Sequence, residues 1–302
     1  MLINKTKKIN NLSLYIMLLP ATIVLIIFAY LPLMGIVIAF QDFIPARGFF
    51  GIQKWVGLDN FKYIFTMPDT MQVIFNTVYI ASFKLFFGLI LAVAIAILLN
   101  EIRNKTFKKT IQTIIYMPHF LSWVLLSGIF IELLSPSTGL INKFIELFGF
   151  KPIFFLGDKH WFPITMIITD IWKELGFATI IYLAAITSID TQLYEAATVD
   201  GAGKWKQIWH VTLPGMRMII VLMSLLSIGN VLNAGFDQIV NMYNAQVYET
   251  GDILDTLVYR LGLIDGQFSA ATAVGLFKSG VSAVLIGTFY YLSYKFADYR
   301  IF

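Results

Sequence analysis

Residues 14–40 run for 27 positions without a charged side chain, interrupted only by Pro20 and Pro32. A helix crosses the hydrocarbon of a bilayer with about 20 apolar residues, and a backbone in lipid must satisfy its own hydrogen bonds. The run is longer than the apolar core of a cleaved secretory signal and has no small-residue cleavage site, so it reads as a helix that stays in the membrane. Similar runs recur at 73–99, 111–134, 161–186, 214–236 and 280–296. Six spans predict an all-α membrane protein, with a polar segment at 1–13 and one membrane domain over 14–302. The balance of 58% hydrophobic to 13% charged residues is too apolar for a soluble domain of this size. The chain contains no cysteine, which excludes disulfides, thiol catalysis and Cys-type metal sites.

Charge placement orients the spans. With the N-terminus inside, Lys5, Lys7, Lys8, Arg103, Lys105, Lys108, Lys109, Lys204 and Lys206 gather on the cytoplasmic face. The basic residues left outside are spread more thinly along longer loops, which is the usual inside-positive bias. Both termini and the 188–217 loop then lie in the cytoplasm. The Asn-x-Ser/Thr triplets at Asn4, Asn11 and Asn104 fall on that same side, so they read as chance matches.

The 188–217 loop is a polar island between two long apolar runs. Leu193, Ala196, Ala197 and Leu213 are small or apolar, and Asp200, Lys204 and Lys206 are charged. Gly201 and Gly203 permit a turn that bulkier residues resist, and Pro214 suits the first turn of a following helix. On chemistry alone this is a helix–turn–helix elbow shaped to dock, or an ordinary helical loop. Its spacing is specific: Glu195-Ala196-Ala197, three residues, Gly201, nine residues, then Val211, one residue, Leu213-Pro214. This resembles the EAA loop of binding-protein-dependent ABC importer permeases, departing only in Val211, where isoleucine is commoner.

The resemblance extends through VGLDNF at 56–61, YMPHFLSWV at 116–124, DIWKELGFATIIYLAAI at 170–186, GFDQI at 235–239 and the DTLVYRLGL region. These stretches are similar to the polysaccharide-type, lipoprotein-associated branch of sugar permeases, of which the maltose permeases are more distant relatives. It implies a type I ABC importer permease fold and a coupling helix seated in a groove of a cytoplasmic ATPase. The residues that carry over to that role are Glu195, Ala196, Ala197, Asp200, Gly201, Ala202, Gly203, Leu213 and Pro214. It further implies a second homologous permease, two ATPase subunits that bind the ATP and magnesium, an extracellular or periplasmic binding protein, and an oligosaccharide cargo. No cofactor is expected on this chain.

Ionisable groups inside the apolar runs point to a route. Asp170, Lys173 and Glu174 share one side of the fourth span, and Lys84 lies mid-way along the second. Two readings stay open: pairing that locks helices together, or contact with solute. Asn230, Asn233 and Asp237 fall within an arc of about 60° if the fifth span is one helix. Tyr116, His119 and Trp123 form a stripe on the third. Amide and carboxylate groups beside aromatic faces suit a carbohydrate, whose hydroxyls need paired donors and acceptors; interhelical hydrogen bonding by Asn and aromatic core filling are the plainer alternatives. The pathway set is therefore Asp170, Trp172, Glu174, Asn230, Asn233, Asp237, Tyr116 and His119.

The long outer segments 41–72, 135–160 and 237–279 are expected to meet a binding protein, and DILDTLVYRLGL at 252–263 to lie as a helix near the outer interface. GAGK at 201–204 is not a phosphate loop: the upstream glycine is missing and Trp205 stands where Ser or Thr holds magnesium. No HExxH or GxSxG motif occurs, and three scattered histidines make no metal site. A permease for another solute such as glycerol phosphate, or a secondary transporter, remains the alternative; the elbow disfavours the latter, as does the lack of an inverted repeat with matching broken helices.

Overall fold

The computed structural model describes residues 12–229 and 231–297. The first apolar run forms α1 (Leu12–Leu25), a wide π turn at Ile26–Tyr30 and a tight 3₁₀ stretch at Leu31–Phe40, all one continuous rod. A two-strand hairpin (β1 Gln41–Asp42, β2 Lys54–Trp55) and a short helix α2 (Asp59–Thr66) follow. Asn60 of the VGLDNF stretch donates to the carbonyls of Ala39 and Gln41 at 2.9 and 3.0 Å, sealing the end of the rod.

Helix α3 (Thr70–Glu101) packs along α7 (Trp161–Thr187). Ala92 and Ala96 of α3 are fully buried beside Tyr182, Ala185 and Ile186 of α7. Small side chains let two membrane helices approach closely, where dispersion rather than water exclusion holds them. Met216 of α10 (Leu213–Gly229) closes this cluster. On the other flank α14 (Phe268–Ala297) packs on the 3₁₀ end of the first rod.

The third apolar run is not one helix. α4 (Lys105–Tyr116) continues through a 3₁₀ turn at Met117–Phe120, and α5 (Trp123–Leu133) then leaves at 104°. Leu121 and Ser122 adopt extended backbone, and the Ser122 hydroxyl accepts from the Leu125 amide at 3.3 Å, starting a new helix in mid-run. Among the described residues, four helices are long and apolar enough to cross a membrane, and a fifth if this bent pair is one span. α7 has 27 residues, and Asp170, Lys173 and Glu174 sit in its middle.

The segments expected on the outside are woven into the bundle. Asn142 of α6 (Leu140–Leu147) is buried, donating to the carbonyls of Leu134, Ser135 and Ile153 and accepting from the Ile153 amide. Short helices α8 (Thr191–Val199) and α9 (Lys204–Gln207) build the elbow, and α11 (Phe236–Met242), α12 (Tyr248–Gly251) and α13 (Leu254–Tyr259) the segment before α14. The 252–263 stretch is helical from Leu254 and packed into the bundle. Leu254, Leu257 and Leu261, spaced by three and four, are at most 3% exposed and pack in one cluster with α3 and α14 residues. Asn76 of α3 holds this segment by donating to the Glu249 and Asp252 carbonyls at 3.0 and 3.1 Å.

Candidate functional site: a helical elbow and a polar groove

At the elbow, the Asp190 carboxylate caps α8 by accepting from the Gln192 amide at 2.9 Å. The helix ends where Gly201 turns left-handed, at φ 77°. The Ala202 amide reaches back to the Ala197 carbonyl at 2.8 Å and the Gly201 amide to Thr198 at 3.0 Å, the two bonds of a Schellman stop. Gln207, 8% exposed, staples the arms together: its amide donates to the Thr198 hydroxyl at 2.9 Å and the Ala202 carbonyl at 3.2 Å. Tyr194 and Thr212 share a further hydrogen bond of 2.9 Å, and Lys204 pairs with Glu101 at the end of α3, at 2.9 Å. Pro214 follows a π turn at Ile208–Thr212, where the widened backbone relieves the bond that proline cannot donate. The elbow is thus internally rigid, yet Leu193, Val199, Trp205 and Trp209 on it are between 54% and 88% exposed.

The second feature lies mid-bundle. α10 ends at Gly229, seven residues before the expected end of the fifth run. Asn230 lies outside the described residues. Beyond it the chain is irregular until α11 begins at Phe236, so Asn233 and Asp237 are not on one continuous helix. They reach a common side by another route. Leu232 and Ala234 are buried at 3% and 1%, Asn233 between them is exposed, and Gly235 at φ 99° redirects the chain so that exposed Asp237 sits in the first turn of α11. Both line a groove of about 1190 Å³ with Trp123, Tyr259 and the Asp255–Lys278 ion pair, whose separation is 2.5 Å.

Behind the groove, Lys84 of α3 pairs with Asp170 of α7 at 3.2 Å. Asp170, Glu174 and Lys84 line a smaller cavity of about 150 Å³ between α3, α7 and α10. Glu174 accepts from Lys173 at 2.8 Å and lies 2.8 Å from His119 Nδ1. Lys173 also donates to the His119 carbonyl at 3.2 Å and stands 5.5 Å over the Trp123 ring. His119 itself stacks on Phe177, 4.5 Å between centroids. This network clasps the α4–α5 bend to α7, and Gly176 makes room for it: an added Cβ would stand 2.2 Å from the Ile115 carbonyl oxygen.

The expected pathway residues therefore separate. Asn233 and Asp237 line the groove, Asp170 and Glu174 sit behind it in ion pairs, and His119 belongs to the clasp. Tyr116 ends α4 away from the groove lining. Trp172 points elsewhere, packing edge-on against Phe130 of α5 at 5.7 Å. Sequence reasoning missed Tyr259, Gly235, Gln238 and the Asp255–Lys278 pair. The GFDQI stretch contains two of these, but nothing in its spacing shows that the fifth run breaks there.

Residues 84–301 match the family described as "Binding-protein-dependent transport system inner membrane component". The chain belongs to this family. It is a multi-pass membrane protein and a transport permease. The permease shares 44% identity with the polygalacturonan/rhamnogalacturonan transport system permease protein YteP of Bacillus subtilis, over 98% of this chain and 92% of that one. Protein LplB of the same organism is 42% identical over 96% of this chain and 91% of its own length. Among solved structures, a bacterial ABC transporter involved in the import of the acidic polysaccharide alginate has a chain 37% identical to this one. It superposes with a TM-score of 0.88, covering 95% of this permease and 96% of that chain.

Proposed function

We propose that this permease is one half of the membrane channel of an ABC importer for oligosaccharides or polysaccharide fragments. A homologous permease forms the other half, two cytoplasmic ATPases bind ATP and magnesium and drive the cycle, and a binding protein outside delivers the cargo. The likeness to YteP over nearly the whole of both chains supports a saccharide cargo, and a related alginate transporter has been solved with an alginate pentasaccharide-bound periplasmic protein. The observation that carries the proposal is the elbow: a self-stapled unit presenting uncovered Leu193, Val199 and Trp205, as a surface that seats in a partner must.

In this reading the chain crosses the membrane six times, α7 and the bent α4–α5 pair supplying the spans beyond the four apolar helices, with both termini in the cytoplasm. The membrane domain is 14–302 and the 188–217 loop faces the ATPase. Glu195, Ala196, Ala197, Asp200, Gly201, Ala202, Gly203, Leu213 and Pro214 form the coupling element. Nucleotide-driven movement of the elbow passes directly into α10, which continues from α9, and into α3 through the Lys204–Glu101 pair. α10 ends at the break that carries the groove residues. Asn233 and Asp237 offer an amide and a carboxylate to sugar hydroxyls, with Trp123 and Tyr259 as apolar faces.

The test uses the absence of native cysteine. A cysteine at position 233 should react with a membrane-impermeant maleimide in one nucleotide state and not in the other. Asn233→Ala and Asp237→Asn should lower uptake while the assembled complex keeps its melting temperature in detergent. Stability falling in step with uptake identifies the face as structural glue, where an interhelical hydrogen bond is worth roughly 0.6–2 kcal/mol.

A further inference from the structure

Lys84 makes more contacts than charge pairing requires. Its ammonium meets Asp170 Oδ1 at 3.2 Å, the Ala234 carbonyl at 2.8 Å and Gln238 Oε1 at 2.5 Å. Three donors meet three acceptors, and the side chain is 9% exposed, so none is left for a solute. One acceptor, Ala234, lies in the break between α10 and α11, and another, Gln238, in the first turn of α11. Gln238, itself fully buried, donates in turn to the Met166 carbonyl at 2.9 Å and the Thr169 hydroxyl at 2.7 Å on α7. Gly235 fits against the same ammonium: an added Cβ would stand 2.7 Å from Nζ.

We infer that Lys84 is a positioning residue for transport, fixing the 231–235 break so that Asn233 and Asp237 face the groove. The inference rests on the reading of that groove as the solute route. Between Leu232 and Ala234 the side chains alternate inward and outward, so a slip of one residue turns Asn233 into the core and a leucine or alanine out. Neither the irregular backbone of the break nor a left-handed glycine holds that register by itself. The Ala234 carbonyl and the Gln238 side chain hold it, and both are anchored on Lys84.

Stability alone does not account for the arrangement. Replacing a buried ion pair by uncharged groups of similar volume is often neutral or favourable, whereas removing one partner strands a charge. Lys84→Met alone is therefore expected to impair assembly. The informative variant is Lys84→Met with Asp170→Asn, which removes both charges together with the anchor.

In the full complex with its binding protein, the double variant should assemble with a melting temperature near wild type and keep stimulated ATP hydrolysis. Solute moved per ATP should fall at least tenfold, and a cysteine at position 233 should lose its nucleotide-dependent labelling. Gly235→Ala, which keeps both charges but crowds the ammonium, should show the same pair of changes. A merely structural lysine would lower transport and hydrolysis together, in proportion to the complex assembled. Wild-type stoichiometry and labelling in the assembled double variant overturn the inference. If Asn233→Ala and Asp237→Asn transport normally while the double variant still alters labelling, the groove is not the solute route and Lys84 nonetheless sets the break.

Discussion

Gly201 offers a graded test of the elbow. Its φ of 77° is a conformation that side chains other than glycine resist, by roughly 1–2 kcal/mol. An added Cβ there meets nothing within 4 Å, so a substitution perturbs the turn and clashes with no neighbour. Asparagine enters the left-handed region most readily after glycine, alanine less so, and a β-branched residue least. A cost of one or two kcal/mol shifts the population of the native turn about 5- to 30-fold. Loss of coupling should therefore grow from Gly201→Asn through Gly201→Ala to Gly201→Val, with every variant reaching the membrane in normal amount. The assay is solute uptake and binding-protein-stimulated ATP hydrolysis in the reconstituted complex, expressed as their ratio. A Gly201→Val permease with normal uptake and normal stimulated hydrolysis refutes the reasoning, and so does an equal defect in all three.

Topology and the outer face yield two further expectations. Reporter fusions after Lys8 and after Arg300 should both read as cytoplasmic and one at Gly251 as external; an odd number of crossings between the ends contradicts the six-span account. Asp158 accepts from the His160 and Trp161 amides at 2.8 and 3.1 Å ahead of α7, and these bonds hold its carboxyl below the usual 3.8. A depressed acid contributes stability above its unfolded pKa and loses it as pH falls through the folded value. Wild type should therefore melt above Asp158→Ala near neutral pH, with the gap closing as pH drops below about 3.8. A gap unchanged at the lowest pH the complex survives counts against the capping role.

The apolar runs match some helices closely and others only in part: α14 begins at Phe268, ahead of the expected 280. Expected spans at 73–99 and 161–186 correspond to helices at Thr70–Glu101 and Trp161–Thr187. The breaks were harder to read. Ser122 starts a new helix in the middle of an apolar run, and the chain leaves the helix at Gly229 although the hydropathy continues. Both breaks are stabilised by distant partners, the Lys173–His119–Glu174 clasp in one case and Lys84 with Gln238 in the other. Such partners are separated by 54 residues or more and leave no periodicity to detect. Lys84 and Lys173 were legible as groups needing partners, and pairing is what the structure contains. The grouping of Asn230, Asn233 and Asp237 assumes a continuous helix that the chain does not adopt; Asn233 and Asp237 line one groove by another route, and Asn230 lies outside the described residues. Trp172, beside three charged neighbours in sequence, turns to Phe130 because adjacent helical positions point in different directions.

On the proposed function, this permease carries saccharide inward at the expense of ATP hydrolysed by partner subunits. The most direct measurement is uptake of labelled oligosaccharides into proteoliposomes holding this chain, its homologous permease and the ATPases, with binding protein on the binding-protein side and ATP at the ATPases. Uptake should require both ATP and the binding protein, and should persist when ion gradients are collapsed. Saccharide uptake by this chain without ATPases, driven by a sodium or proton gradient, would contradict it.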